Sequence, residues 1–324
     1  MALLFCIIKK TYPQLILSFG VNLDQFYLSP EVEEALRMSR PVLAMESTII
    51  THGLPYPENR NFLKRANDLV RSFGVVPATV AVIGGSVCVG LSEEQESALF
   101  QNAELIKVSL RDLGPALSQK TFGGTTVSAT IYVAHSLGVP FFATGGIGGA
   151  HRGVEYSFDI SQDLFALSRY PVTTISAGAK AVLDIGKTRE ILETLSVPVI
   201  GFKTNEFPVF YSRSGGGKLS WAADSVKQLL SFLNHHYKIK TGGGVLVVNP
   251  PPEKFSMAVD FVESFVAKAV ALADEKGVSG KGLTPFLLSE IEKETGGKSV
   301  ETNVALALNN IQLGARLAAA FNPV

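Results

Sequence analysis

Short apolar runs alternate with amphipathic stretches along most of the chain, and this rhythm constrains the fold more than any other feature. Strands joined by helices in this way build a largely parallel or mixed sheet with helices on both faces, a three-layer α/β/α domain. The pattern predicts strands at Val42–Ile50, Thr79–Ile83, Leu105–Val108, Pro140–Ala143, Val172–Ser176, Val197–Gly201 and Gly244–Val248. It predicts helices at Arg60–Phe73, Glu93–Asn102, Val127–Ser136, Thr188–Leu195 and Ala223–His235. The end of the chain reads as helical additions at Met257–Glu275, Pro285–Thr295 and Val300–Ala320. One break interrupts the rhythm, the Ser-Gly-Gly-Gly stretch within Ser212–Lys218, which reads as a surface loop inside the domain.

Composition narrows the function classes. Of 324 residues 46% are hydrophobic and 18% charged, enough for a large buried core. Basic and acidic residues balance at 29 each, and no basic stripe breaks the balance, so neither nucleic acid nor an anionic membrane is an expected partner. Two cysteines, Cys6 and Cys88, can build neither a disulfide framework nor a cysteine zinc site, and the five histidines include no HExxH spacing. The apolar start is broken by Lys9, Lys10 and Pro13, too early for a membrane span and in the wrong charge order for a secretory signal. Residues 1–27 are read as an N-terminal extension of unknown role and 28–324 as the functional domain. The cytoplasm is the expected compartment; the extension leaves mitochondria or peroxisomes open.

Chemistry concentrates between Phe141 and Lys180. The segment 143–153, ATGGIGGAHRG, follows an apolar run, and glycines there let backbone N–H groups approach an anion. It fits neither GxxxxGK[ST] nor GxGxxG, so it is either a tight turn or an anion pocket with Thr144, His151 and Arg152 as donors. Gly123-Gly124-Thr125-Thr126 reads as a second turn, before a helix whose N-terminus attracts anions. Asp159 and Asp163, four apart, would share a helix face, either holding a hard divalent cation or complementing a helix end. Glu46 lies in a run fit for a buried strand, where burial would raise its pKa and make it a proton donor; the alternative is an end-of-strand glutamate at solvent. Lys180 falls where an apolar strand should turn into a helix, among small and apolar neighbours. There it is either a nucleophilic amine or a lysine reaching out from a first helical turn.

Taken together, MESTIITHGLPYPEN, PATVAVIGG, KVSLRDL, GGTTVSAT, FATGGIGGAHRG, FDISQDL, SAGAKAVLDIG, NEFPVFYSRSG, GGGVLVVNPPPE and ETGGKSVETNVALALNN resemble the pseudouridine-5′-phosphate glycosidase family, known also through indigoidine-synthase-A-like members. The resemblance runs in unbroken order from about Ser29 to Ala318. It implies reversible cleavage of the C–C glycosidic bond of pseudouridine 5′-phosphate to uracil and ribose 5-phosphate. It makes Lys180 the nucleophile that forms an imine with C1′, Glu46 the proton donor, and Asp159 the holder of a divalent ion, Mn²⁺ by preference. Lys107, the backbone at Val127, and Ser161, Gln162 and Asp163 fall on substrate-contacting positions, with Thr144, His151 and Asn303 as further pocket residues. It also implies a homotrimer. Three departures stand out: Leu110 where relatives carry a polar or basic residue, Gln162 in place of alanine, and a short Ser212–Lys218 loop. They leave open a non-catalytic phosphosugar-binding paralogue, or a Schiff-base lyase or aldolase on another phosphosugar.

Overall fold

The computed structural model describes residues 26–278 and 280–321. Residues 1–25, most of the expected extension, and Cys6 with them lie outside the described part. The described chain begins with a strand, β1 (Phe26–Leu28), paired in parallel with β4 (Ser86–Val89).

The strands that carry the centre of the molecule are β2 (Val42–Met45), β3 (Val76–Ile83), β7 (Phe141–Ala143), β8 (Thr173–Ser176), β9 (Val199–Phe202) and β13 (Val245–Val248). Shorter ones flank them: β5 (Ile106–Val108), β6 (Gly123–Thr125) and β12 (Trp221–Ala223). Among the described residues they form one sheet in the order β1-β4-β3-β2-β7-β8-β13-β9-β12, with β6 bridging β3 to β5. Only the β3–β4 and β3–β6 pairings are antiparallel. The central strands β2, β7, β8 and β13 are buried along their whole length, which is why β2, β7 and β13 read as unbroken apolar runs; β8 buries two threonines and a serine instead.

Helices cover both faces. The long helix Lys298–Ala320 packs on β2, β7 and β8 and against the helices Glu58–Ser72 and Val226–Ile239. On it Asn303, Ala307, Asn310 and Gly314 recur at helical spacing and are buried. Opposite, Val127–Ser136 packs on β2, β7 and the helix Gln162–Arg169. The C-terminal additions are helical as the sequence predicts, at Val259–Glu275 and Leu283–Glu294, and pack on each other. No helix among the described residues is long and apolar enough to cross a membrane.

Four expectations are corrected. The strand predicted at Val42–Ile50 stops at Met45, and Ile49–Gly53 winds into a π-helical turn. Ser47 Oγ donates to Val80 O at 2.6 Å and Thr48 Oγ1 to Thr125 O at 2.7 Å, so hydroxyls replace the backbone ladder. The stretch Ser212–Lys218 is a strand, β11, forming an antiparallel hairpin with β10 (Glu206–Val209), and its glycines accommodate register shifts at Pro208. Gly123–Thr125 is strand β6; a Cβ on Gly123 would lie 2.5 Å from Ile106 O on β5, so only glycine lets those two backbones pair this closely. The helix expected to start beside Lys180 begins at Ile185, where Asp184 caps it by accepting from Lys187 N at 3.0 Å.

Candidate active site

Adjacent parallel strands β2, β7 and β8 end together, and in open α/β sheets the ground beyond strand carboxyl ends is where ligands bind. Glu46 is the first residue after β2 and Thr144 the first after β7; both are buried. The Thr144 hydroxyl donates to Glu46 Oε1. Burial pushes the Glu46 carboxyl above the usual carboxylate range, aided by Asp163; the Lys180 and Lys107 charges and the Thr144 hydrogen bond oppose it. Lys180 lies four residues beyond β8, held by its backbone N–H to Ile147 O at 3.1 Å. Glu46, Lys180, Lys107 and Thr48 line two adjoining hollows, one of about 180 Å³ and one of about 40 Å³.

The larger hollow has an electropositive wall. Lys107, Ser109 and Arg111 face the first turn of the Val127–Ser136 helix, and Ser161, Gln162 and Asp163 close the floor. A helix N-terminus with basic side chains beside it suits an anion. Asp163 is buried and braces this wall, accepting from Ser128 N at 2.9 Å and Gly148 N at 2.8 Å. The smaller hollow is more apolar, with Phe210, Leu288, Ile49 and His52 beside Gly145 and Asn303. Asn303 is buried, and its Oδ1 has no hydrogen-bond partner among the described residues.

Several readings change. Asp159 and Asp163 do not share a helix face, since the helix starts at Gln162 and Asp159 lies in the preceding loop. Asp159 lines the larger hollow with His151, whose pKa is lowered by burial against the raising influence of Asp159. Part of the glycine turn is already engaged within the protein: Ile147 N donates to Gly178 O, Gly148 N to Asp163 and Ala150 N to Thr188 Oγ1. A Cβ on Gly148 would strike the Ser161 side chain, so close packing explains that glycine. Arg152 is drawn away into a two-point ion pair with Glu263 at 2.6 and 2.8 Å. Leu110 packs on the hydrophobic core, while its neighbours Ser109 and Arg111 face the hollow. Sequence reasoning missed Thr48, Ser109, Arg111, Ser128 and Thr284 as lining residues, while the second glycine turn had already offered Thr126; the MESTIITHG and KVSLRDL motifs contained Thr48, Ser109 and Arg111.

A buried carboxyl and an amine at strand ends, facing a helix N-terminus that suits an anion, define an α/β enzyme built to work on a small anionic substrate. The sequence model of the indigoidine synthase A like protein family matches residues 31–320, and the chain belongs to that family. A relative from Caldanaerobacter subterraneus, named pseudouridine-5′-phosphate glycosidase, is 44% identical over 91% of this chain and 96% of its own. The crystal structure of an indigoidine synthase A-like protein from Thermotoga maritima superposes with a TM-score of 0.81 at 34% identity, covering 86% of this chain and 92% of that one. The prealnumycin C-glycosynthase AlnA, solved with ribulose 5-phosphate, gives 0.83 at 32% identity over 92% and 97%.

Proposed function

We propose that the chain is a pseudouridine-5′-phosphate glycosidase, reversibly cleaving the bond between C1′ of the ribose and C5 of uracil. The observation that carries this reading is that Glu46, which accepts from the buried Thr144 hydroxyl, and Lys180 line one hollow with the anion wall. Relatives at 42–46% identity over nearly their whole length bear that name.

Ordinary glycosidases let an oxygen leave through an oxocarbenium-like state. Here the leaving atom is carbon, a far poorer leaving group, and an amine solves the problem. Lys180 Nζ adds to C1′ and loses a proton, while Glu46 gives a proton to the departing ring oxygen and opens the ribose. Once C5 of the uracil ring is protonated, the nitrogen lone pair forms C=N, the C1′–C5 pair returns to the ring and uracil leaves. Water then hydrolyses the imine to ribose 5-phosphate and returns Lys180, so one water is consumed and nothing is oxidised. The phosphate sits against Lys107 and the backbone at Val127, with Ser161, Gln162 and Asp163 beneath the sugar; His151 and Asn303 complete the pocket.

Asp159 is the carboxylate we assign to a divalent ion, Mn²⁺ by preference. Among the described residues no group of three His, Cys, Asp or Glu gathers that could hold a metal ion, so Asp159 with water would be the donor set. When bound, it would supply positive charge beside the phosphosugar. The family resemblance implies a homotrimer, and the cytoplasm is the compartment expected by default.

Uracil release from pseudouridine 5′-phosphate with Mn²⁺ tests the function, and borohydride should trap ribose phosphate on Lys180. An unchanged rate in Lys180→Ala would sink it. Likeness to a C-glycosynthase solved with a pentulose phosphate favours one second reading, Schiff-base chemistry on another phosphosugar. Products from a panel of C- and N-nucleotides and pentose phosphates separate the two.

A further inference from the structure

Beyond the strand ends a buried amide chain runs from the sheet to the acid. Asn249, just after β13, donates from Nδ2 to Asn310 Oδ1 at 3.1 Å. Asn310 is fully buried in the Lys298–Ala320 helix, and its Nδ2 donates to Thr144 O at 2.8 Å and Gly145 O at 3.2 Å. Thr144 in turn donates its hydroxyl to Glu46. The helix is pressed close here: a Cβ on Gly314 would lie 2.9 Å from Leu43 and 3.3 Å from Ala143, on β2 and β7. One face of that helix therefore serves the site twice, with Asn303 at the hollow and Asn310, seven residues on, against the Thr144–Gly145 backbone.

We propose that Asn310 is a positioning residue for the acid, anchoring the Thr144–Gly145 backbone so that the Thr144 hydroxyl stays on Glu46. The inference rests on the reading of Glu46 as proton donor. Buried amides with both ends satisfied hold one geometry, because breaking any link strands a polar group away from water. Without Asn310 the two carbonyls lose a donor, the turn relaxes, and Thr144 loses its alignment. Glu46 also faces Lys180 and Lys107, which favour its charged form, and Asp163, which does not; removing the Thr144 donation shifts the balance toward the neutral acid.

The test follows the Glu46 carboxyl by ¹³C NMR in side-chain-labelled protein, with Glu46→Gln assigning the signal. Wild type is compared with Asn310→Ala, Thr144→Val and the double variant. Glu46 should titrate at higher pH in both single variants and move no further in the double. Under the glycosidase assay, kcat in Asn310→Ala should fall about tenfold with KM within about twofold. A Glu46 midpoint that moves in Thr144→Val and stays put in Asn310→Ala overturns the proposal, as do additive shifts in the double variant. Asn310→Ser, too short to reach both carbonyls and leaving a smaller gap, carries the same test where the alanine variant does not fold. If wild type releases no uracil, the functional reading fails, and the titration still decides the role of Asn310.

Discussion

The two halves of the hollow are built on different physics. The strand-end half, with Glu46 and Thr144 buried and Lys180 beside them, has little water to screen its charges, so the protonation of Glu46 depends on its neighbours. The helix-end half, with Lys107, Ser109, Arg111 and the first turn of Val127–Ser136, is partly open and works by summed positive charge. One half is suited to bond breaking and the other to holding a phosphate. The carboxylates divide the same way: Glu46 is pushed toward its neutral form, while Asp163 accepts two backbone N–H groups as a brace.

This division orders the variants. Lys180→Ala removes the covalent centre, and kcat should drop at least about a thousandfold with ligand binding retained. Rapid-quench uracil release checks the first part, and thermal protection by ribose 5-phosphate the second. Glu46→Gln keeps the shape and loses the ionisable proton, for an expected loss of about a hundred- to a thousandfold in kcat. The acid acts when protonated, and its folded pKa is raised, so the wild-type rate should fall as pH rises through that pKa. A kcat–pH profile in which Glu46→Gln retains this limb would break the comparison. On the other half, Lys107→Ala should raise KM about tenfold and leave kcat less affected, because a charge-assisted contact to phosphate is lost. The effect should shrink at high salt, since a partly open charge is screened; a kcat loss as large as that of Glu46→Gln would erase the distinction.

Legibility in the sequence follows the same line. β2, β7 and β13 were readable because strands buried on both faces are apolar runs that need no partner to be recognised, and β8 because its β-branched Val172-Thr-Thr-Ile175 stretch favours a strand. β6 and the β10–β11 hairpin were not, because their glycines signal a turn unless the close neighbour is known; for β6 that neighbour is distant in sequence on β3, and for β11 it is the adjacent β10. Within the site, Glu46 betrayed itself as an acid in an apolar run, whereas the resemblance to known relatives was what singled out Lys180. Asp163 looked like half of a cation pair, yet the donors that claim it, Ser128 and Gly148, come from other segments. Asn310 carries no signal in its own segment, since the backbone it anchors lies 166 residues earlier.

The smallest effect belongs where the two halves are joined by a replaceable contact. Gln162 sits in the first turn of the Gln162–Arg169 helix, and its Oε1 accepts from Arg111 N at 3.2 Å, tying the floor of the hollow to the anion wall. This contact is exposed, so water can stand in for either partner, and a neutral hydrogen bond of this kind contributes about 1 kcal/mol or less. Gln162→Ala, the side chain the resemblance expects there, should therefore raise KM by about two- to fivefold, with a smaller change in kcat. The shift should come from a looser Leu110–Asp112 turn, so amide exchange at Arg111 should quicken while exchange at Thr144 stays as it was. A large kcat loss without a change at Arg111 would place Gln162 on the chemical half of the site instead.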